Sequence, residues 1–582
     1  MCDKLVFDLS QEIEGTPNIF VRKDWVNILD NQNGQYSANQ CVIDTSQLSN
    51  SNKFLNYREA YLSVPLLLTL SNTVTAATSA FAPGTLATSA DFSIGLKNWY
   101  GSIIHSFTVE YNGVSIIQQT PYINMVNSFK LMTTLSWSDI TIMGSTIGFY
   151  PDDALCWTFN DTPGMSGVGT CNNSNFSTVP SGVIVTAAFN NYKSSQSNDG
   201  FLQRQTYINY DPNGACGTGT YANFFTGSNA TLLYKSYISN KVNGTAASSG
   251  PPIVAFVSGI YQISIRATIY LRHIHSFFNN VPLLKGVYMK MTLNLNNSSC
   301  SFSKSGVGLT LISTDVPVGG VQPIMIASAN TSNGNAVLGE GTYICSLSVG
   351  SSCLNSTQRS QAGIQSGQVG GNIFLYVPAY TFNPVFESAY LSSPIKSVEY
   401  SDYYQYQILN INPTGSFNQL ITNGISNIKS VLILPFFSSI VPGNTTAVLT
   451  QPVFQSPFDP AGTGPTSPLC LLSQFNIVVS GQNAIYNTER YTFEHFNNQF
   501  QGLGINGAMV DGLSSGLINS LSFDMEYNYY YTNVSRMLPV EESVPKSISC
   551  IGINFGTKPI NLWCFVEYGV NINIDILTGA RV

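Results

Sequence analysis

Apolar and polar residues alternate with a period of two along much of the chain. Val287, Met289, Met291, Leu293 and Leu295 alternate with Tyr288, Lys290, Thr292 and Asn294. Val570, Ile572, Ile574 and Ile576 alternate with Asn571, Asn573 and Asp575. Successive side chains of a strand point to opposite faces, so each run predicts a strand with one buried face. Gly, Asn, Pro and Ser punctuate the runs, as an all-β chain requires. Helical spacing is rare. Tyr122, Met125, Phe129 and Met132 predict a helix after Thr120-Pro121, with Thr120 as N-cap and Pro121 at the first helical position. Phe493, Phe496 and Phe500 predict a second helix after Asn487-Thr488. Each stripe reads as the inner face of a helix lying on a sandwich.

These elements occur twice in the same order. YLSVPLLLTL around Pro65 precedes HSFTVEYNGVSIIQQTPYINM, and IKSVLILPFF around Pro435 precedes SQFNIVVSGQNAIYNTERYTF. Phe107 corresponds to Phe475, and the Asn112-Gly113 turn to Ser480-Gly481. Asn-Gly is a strong hairpin signal and Ser-Gly a looser one. A repeat this long means two copies of one domain, not a solenoid. The expected fold class is all-β: two antiparallel sandwiches, with long loop insertions at about 150–250 and 300–370 and a few short helices. The boundary is placed near residue 390, because FLYVPAYTF (374–382) reads as a closing strand of the first copy; a boundary near 320 is the alternative. The division is thus 1–390 and 391–582.

Composition narrows the function. The chain has 582 residues, of which 9% are charged and 12% aromatic, with a formal net charge of −7. An ordinary soluble domain carries about 25% charged residues. Few charges with many aromatics exclude general disorder. They also disfavour a nucleic-acid binder, which needs clustered Lys and Arg. Permanent interfaces are depleted of charge and enriched in Tyr, Phe and Trp, so the composition points to self-association. Tyr527, Tyr529, Tyr530 and Tyr531 illustrate it: in a strand both faces of this run are aromatic, and both are expected to be covered. No apolar run approaches a membrane span, and the acidic N-terminus does not read as a secretory signal. Eleven cysteines, an odd count without CxxC, fit free thiols made in a reducing compartment. Local pairs Cys345–Cys353 or Cys156–Cys171 are the disulfide alternatives. N-x-S/T triplets at Asn229, Asn243, Asn444 and Asn533 are expected by chance in so Asn-, Ser- and Thr-rich a chain.

Candidate chemistry is sparse. GLSSG (Gly512–Gly516) matches the hydrolase elbow, but the last histidine, His495, precedes Ser514, so it reads as a turn. His273 and His275 would share a face on a strand, with no Cys or carboxylate nearby in sequence to complete a metal shell. Asp152-Asp153 and Glu541-Glu542 read as solvated loop carboxylates, and Glu494-His495 as the polar edge of the second helix. No residue is nominated as catalytic, cofactor-binding or metal-ligating, no cofactor is expected, and an enzyme is disfavoured.

The ordered set of segments resembles a known family, the double jelly-roll major capsid proteins of virophages, Polintons (adintoviruses included) and polinton-like viruses. The segments are WYGSIIHSFTVEYNGVSIIQQTPYINMVNSF (99–129), SVEYSDYYQYQILNINPTGSFNQLITNGISNIKSVLILPFF (397–437), QFNIVVSGQNAIYNTERYTFEHFNNQF (474–500), YTNVSRMLPVEESVPKSI (531–548) and the terminal FVEYGVNINIDILTGARV. The resemblance covers about two thirds of the chain and leaves the two loop stretches unmatched. It implies two tandem jelly rolls and no enzymatic activity. It implies a homotrimer presenting six sandwiches as a pseudo-hexagonal capsomer, which tiles an icosahedral shell with neighbouring trimers. Implied partners are a penton protein and minor or cement capsid proteins; the implied location is the virion, after synthesis in the host cytoplasm or nucleus without secretion. The chain stops soon after its last strand pattern, so C-terminal processing of the kind some relatives undergo is not expected. The net negative charge assigns genome neutralisation to another protein, without sequence-specific nucleic-acid binding here. The competing classes are a jelly-roll carbohydrate-binding or adhesin module, and a β-sandwich glycoside hydrolase.

Overall fold

The computed structural model describes residues 18–36, 38–48, 52–72, 93–152, 255–257, 260–305, 308–327, 341–350, 371–437, 471–485, 490–500, 516–525, 527–535, 544–556 and 559–582, with residues 200, 204, 457 and 537. Strands dominate, and every named ladder is antiparallel. Eight strands follow one another from Ile395: Ile395–Ile411, Ser416–Ile425, Ile428–Phe437, Leu472–Val479, Gln482–Asn483, Tyr530–Asn533, Lys546–Asn554 and Ile560–Asp575. The first, eighth, third and sixth form one sheet, and the second, seventh, fourth and fifth form the other. That interleaved order is the jelly roll.

The N-terminal strands repeat it. Phe20–Leu29, Phe374–Phe382, Tyr61–Asn72 and Ile260–Tyr270 pair in that sequence as first, eighth, third and sixth. Gln40–Asp44, Met289–Leu295, Ile104–Tyr111 and Val114–Ile117 form the opposite sheet as second, seventh, fourth and fifth. Three further strands, Ser298–Ser305, Gly308–Asp315 and Gly341–Val349, extend the first sheet beyond the point where Phe374–Phe382 leaves it. The fold is therefore two tandem jelly rolls, hereafter the first and second roll.

The duplication is legible at the residue level. Asn112 and Gly113 have φ of 48° and 81°; Ser480 and Gly481 have 48° and 85°. Two successive left-handed residues match the right-handed twist of a hairpin, so both copies use the same tight turn. Phe107 and Phe475 both lie buried on the fourth strand of their roll. The two prolines both lie on the third strand but differ by one register. Pro65 pairs with Arg266, on the face of its sheet away from the core, whereas Pro435 pairs with the buried Leu562. Each occupies a place where one side of the strand lacks a ladder partner, which a residue without N–H tolerates. For Pro65 this is the gap between Ser63, the last residue paired with the eighth strand, and Leu66, the first paired with Gly341–Val349. Pro435 lies past Ile433, the last residue paired with Tyr530–Asn533.

Both predicted helices form, at Ile123–Thr134 and Phe493–Phe500. The first does not begin as expected. Tyr122, in a left-handed conformation with φ of 60°, precedes it, and the Thr120 hydroxyl donates to Tyr403 O of the second roll at 3.0 Å instead of capping. A third helix, Trp137–Ile147, was not expected. Ser136 and Asp139 form a reciprocal capping box at its start, and Gly148 (φ 67°) ends it. The S-x-x-D spacing carried that signal; the apolar stripe did not, because the helix buries only Ile140, Gly144 and Ile147.

Inside each roll the alternation predicts burial directly. Met289, Met291, Leu293 and Leu295 are buried with polar residues between them, and Ile572, Ile574 and Ile576 likewise.

Candidate functional site and assembly surface

The most heavily built polar and aromatic region is the seam between the two rolls. The second roll's Ile560–Asp575 strand turns Cys564, Val566 and Leu562 to its own core, and Trp563, Phe565 and Glu567 outward. That outward face is covered by the first roll: Trp563 is 4% exposed and Phe565 1%. The cover is the helix Ile123–Thr134. Tyr122, just before it, meets Trp563 edge-on at 3.9 Å between ring centroids. Phe129 lies 4.8 Å from Tyr529 and 5.7 Å from Tyr531, and Lys130 places its amino group 4.8 Å from the Tyr403 ring. Aromatic and cation–π pairs of this kind add to the apolar burial.

Polar side chains of the first roll then hold the first strand of the second. Ser276 Oγ donates to Ser401 O and accepts from Ser401 N; Asn280 Nδ2 donates to Glu399 O, and Tyr400 Oη donates back to Ile116 O. These bonds fix register, and breaking the buried Tyr400–Ile116 bond would leave its partners unsatisfied. Charges cross the seam too. Burial lowers the Lys130 amino group, opposed by Glu567 and Asp402. Burial also pushes the Glu567 carboxyl up, but Lys130, Ser430, Ser401 and Lys429 outweigh it and hold the group below its ordinary value.

The tyrosine run lies here. Tyr527, Tyr529, Tyr530 and Tyr531 are all buried, as expected, but within the chain and not by a partner copy. Tyr530 packs on Phe475 inside the second roll, and Tyr529 and Tyr531 face the first. The aromatic content therefore spends much of itself on the seam, and composition alone overstated the surface left for other copies.

The sequence-derived chemical candidates disperse. His273 and His275 are not on a strand: Leu271–Ile274 is a single helical turn, and the two rings part. His273 packs beside Trp99 and Tyr270. His275 lies in the seam; its Nδ1 accepts from Phe277 N at 3.2 Å, so its proton sits on Nε2, 3.6 Å from Asp402 Oδ1. Asp152 is not a solvated loop residue. It is buried against Arg204, with Nη2 to Oδ1 at 2.7 Å, and Arg204 also donates to Leu96 O and Tyr150 O. This pair clamps the chain leaving Trp137–Ile147. Asp152→Ala is expected to cost about 3–5 kcal/mol, because Arg204 would remain buried without its counter-charge; the urea midpoint measures it. Glu494 is exposed on its helix, as the polar-edge reading expected. Asp153, Gly512 to Ser515, and Glu541-Glu542 lie outside the described residues.

Among the described residues no three His, Cys, Asp or Glu side chains gather as metal ligands, and no helix is long and apolar enough to cross a membrane. Cys41, Cys300, Cys345, Cys550 and Cys564 are buried free thiols. Cys345 thus stands unpaired with Cys353, which with Cys156 and Cys171 lies outside the described residues. An open depression of about 140 Å³ lined by Leu471, Leu472, Ser473, Arg490 and Phe555 is small beside ligand pockets of roughly 300–1,000 Å³.

The outward face of the first roll differs from its covered counterpart. Trp25 and Leu29 on the edge strand Phe20–Leu29 are 51% and 44% exposed. Tyr61 and Tyr376 stack at 5.0 Å beside them, and Arg266 and Arg272 lie over the rings of Phe374 and Tyr270 at 5.0 and 5.1 Å.

The chain matches no protein-family model and no curated protein. Among solved structures it is similar to a chain of the Sputnik virophage determined by cryo-EM, at 11% identity over 97% of this chain and 88% of that one, with a TM-score of 0.43. It is similar to the mavirus major capsid protein at 10% identity over 99% and 92%, with a TM-score of 0.43. Similarity to the Faustovirus major capsid protein is 9% identity over 94% and 90%, with a TM-score of 0.38.

Proposed function

We propose that this chain is a major capsid protein, a structural subunit that forms homotrimeric, pseudo-hexagonal capsomers and tiles an icosahedral shell in the virion. The supporting observation is the seam itself. Two rolls of one strand order meet head to tail: the helix side of the first lies on the outward sheet face of the second. A head-to-tail contact is not self-complementary, so repeating it between chains gives a ring or an open filament. With two rolls per chain, a closed ring of three chains presents six similar units. We place the division between rolls near residue 390, between Phe374–Phe382 and Ile395–Ile411. A closed shell of hexagonal tiles also needs five-fold positions, which assigns a partner role to a penton protein, with minor or cement proteins between capsomers. Buried free thiols fit synthesis in a reducing host compartment.

The test is the native mass of purified protein, followed by electron microscopy of the same sample. A three-chain species seen as a pseudo-hexagonal ring or as shells supports the reading; a monomer at all concentrations overturns it. Isolated trimers are expected to bind DNA only weakly at physiological salt, and micromolar, steeply salt-dependent binding would contradict the assignment of genome neutralisation to another protein.

A further inference from the structure

We infer that Cys300 and Cys345 form a redox modification site: a paired dithiol, reduced in the chain as made, which a small peroxide converts to a disulfide that staples one corner of the first roll. The site stands on the fold alone, and only its use in a shell rests on the assembly reading.

Register sets the pair. Ser298–Ser305 and Gly341–Val349 run antiparallel, and Cys300 lies directly opposite Cys345. Both are buried free thiols. Directly opposed residues of an antiparallel ladder have Cα atoms about 4.5–5.5 Å apart. A disulfide spans roughly 4.4–6.8 Å between the same atoms. The inward face brings opposed side chains into contact: two positions along, Phe302 and Tyr343 stack at 5.6 Å. The two thiols lie within hydrogen-bonding reach of each other. Among the described residues no other two cysteines are opposed in this way. Cys41 lies opposite Leu293. Cys550 and Cys564 stand on opposite sheets of the second roll, and stacked sheets lie about 10 Å apart, beyond the reach of a disulfide.

The closed fold protects the pair. The Cys300 thiol beside it, together with burial, holds the Cys345 thiol well above its ordinary value, and the thiolate is the attacking form. The way in is the sheet edge. Ser298–Ser305 is one strand from the end of its sheet, and its ladder with the end strand Gly308–Asp315 bulges between Ser301 and Phe302, next to Cys300. A bulge disrupts the ladder locally, and such places open without global unfolding. Hydrogen peroxide is small enough to use that opening. One thiolate attacks a peroxide oxygen, the O–O bond breaks, water leaves and the sulfur becomes a sulfenic acid. The second thiol displaces the hydroxyl as another water, and the S–S bond forms. The two thiols give up two electrons and two protons, and one peroxide is reduced to two waters.

The staple has a structural consequence. Only Asn296 and Asn297 separate Met289–Leu295 of one sheet from Ser298–Ser305 of the other. Val349 N donates to Asn297 Oδ1 at 3.0 Å across this corner. The disulfide adds a covalent tie between the same two strands and closes segment 300–345, which restricts the unfolded chain. A chain made in a reducing compartment gains the staple only after release into an oxidising one.

The experiment treats the folded, full-length protein with hydrogen peroxide, alkylates the remaining thiols in urea, and maps tryptic peptides by mass spectrometry. Wild type is expected to link peptide 291–304, which holds Cys300, to peptide 305–359, which holds Cys345 and Cys353. The link should persist in Cys353→Ser and vanish in Cys345→Ser. Peroxide-treated wild type should melt about 5–10 °C above its reduced form. Cys300→Ala, given the same peroxide, should show no rise, which separates the staple from methionine oxidation. A Cys300 that stays fully alkylatable after treatment, or a link that needs Cys353, overturns the site. A linked protein that melts no higher than the reduced one overturns the staple. Because the readout is a bond within one chain, it is independent of whether the chain forms trimers.

Discussion

Lowering the pH from 7 to 5 is expected to destabilise the folded chain by about 4 kcal/mol through two buried histidines. Burial pushes His105 down to about 4. Burial, helped by the neighbouring Arg272, pushes His273 down to about 4. Both therefore stay neutral in the fold long after an unfolded chain would charge them near 6.5. A depressed folded value means the unfolded state binds the extra proton. Stability is full above about 6.5, falls as the pH drops below that, and stops falling from this source once the folded value near 4 is passed. At pH 5 each group contributes about 2 kcal/mol of loss. His275 adds in the same direction: burial lowers it, against an upward pull from Asp402. Protonating its Nδ1 would also remove the acceptor for Phe277 N. The measurement is the urea midpoint at pH 7 and pH 5 at one protein concentration. His105→Gln is expected to remove about 2 kcal/mol of the pH effect; an unchanged midpoint in wild type would mean these rings are hydrated.

The fold was legible where one physical rule acted alone. Period-two alternation placed Met289–Leu295 and the last strand because each faces one core. The duplicated hairpin was legible because left-handed residues restrict the turn to Asn-Gly and Ser-Gly. The jelly-roll order was carried by the resemblance and not by periodicity, which says nothing about which strand pairs with which. Local rules failed at the seam. Thr120 looked like a cap, but a backbone carbonyl of the other roll, Tyr403 O, is its partner. Asp152 looked solvated because Arg204, its counter-ion, is far away in sequence. The histidines looked like a strand pair because a single helical turn leaves no apolar period to read. The tyrosine run was read correctly as covered and incorrectly as evidence of surface, since alternation reports burial and not the owner of the covering residue. The seam is made of contacts between residues hundreds of positions apart, and no single-sequence pattern encodes such pairs.

Phe129→Ala is expected to cost about 3–5 kcal/mol, the ordinary loss for removing a buried aromatic ring. The location makes the expected consequence more specific than a lower midpoint. Phe129 is buried on the helix of the first roll, and its ring meets Tyr529 and Tyr531 of the second. Around it the tie between rolls continues through Tyr122 on Trp563 and through Leu517 N donating to Met132 O. Tightly packed surfaces do not relax into a cavity without cost, so the loss falls on the coupling between rolls. Each roll keeps its own core: Val109 and Met291 in the first, Cys550 and Cys564 in the second. Weakening the tie while sparing both cores should separate their unfolding, since cooperativity between domains needs an interface strong enough to impose it. Calorimetry of Phe129→Ala is thus expected to resolve two transitions where wild type shows one. Ile548→Ala, a cut of buried volume inside the second roll, supplies the contrast: it should lower stability without splitting the transition. A loss under about 1 kcal/mol for Phe129→Ala would mean that the helix is not held against the second roll in solution. A head-to-tail contact that weak inside the chain, where the partner is tethered, would be weaker still between chains, and ring closure by repetition of the same contact would lose its basis.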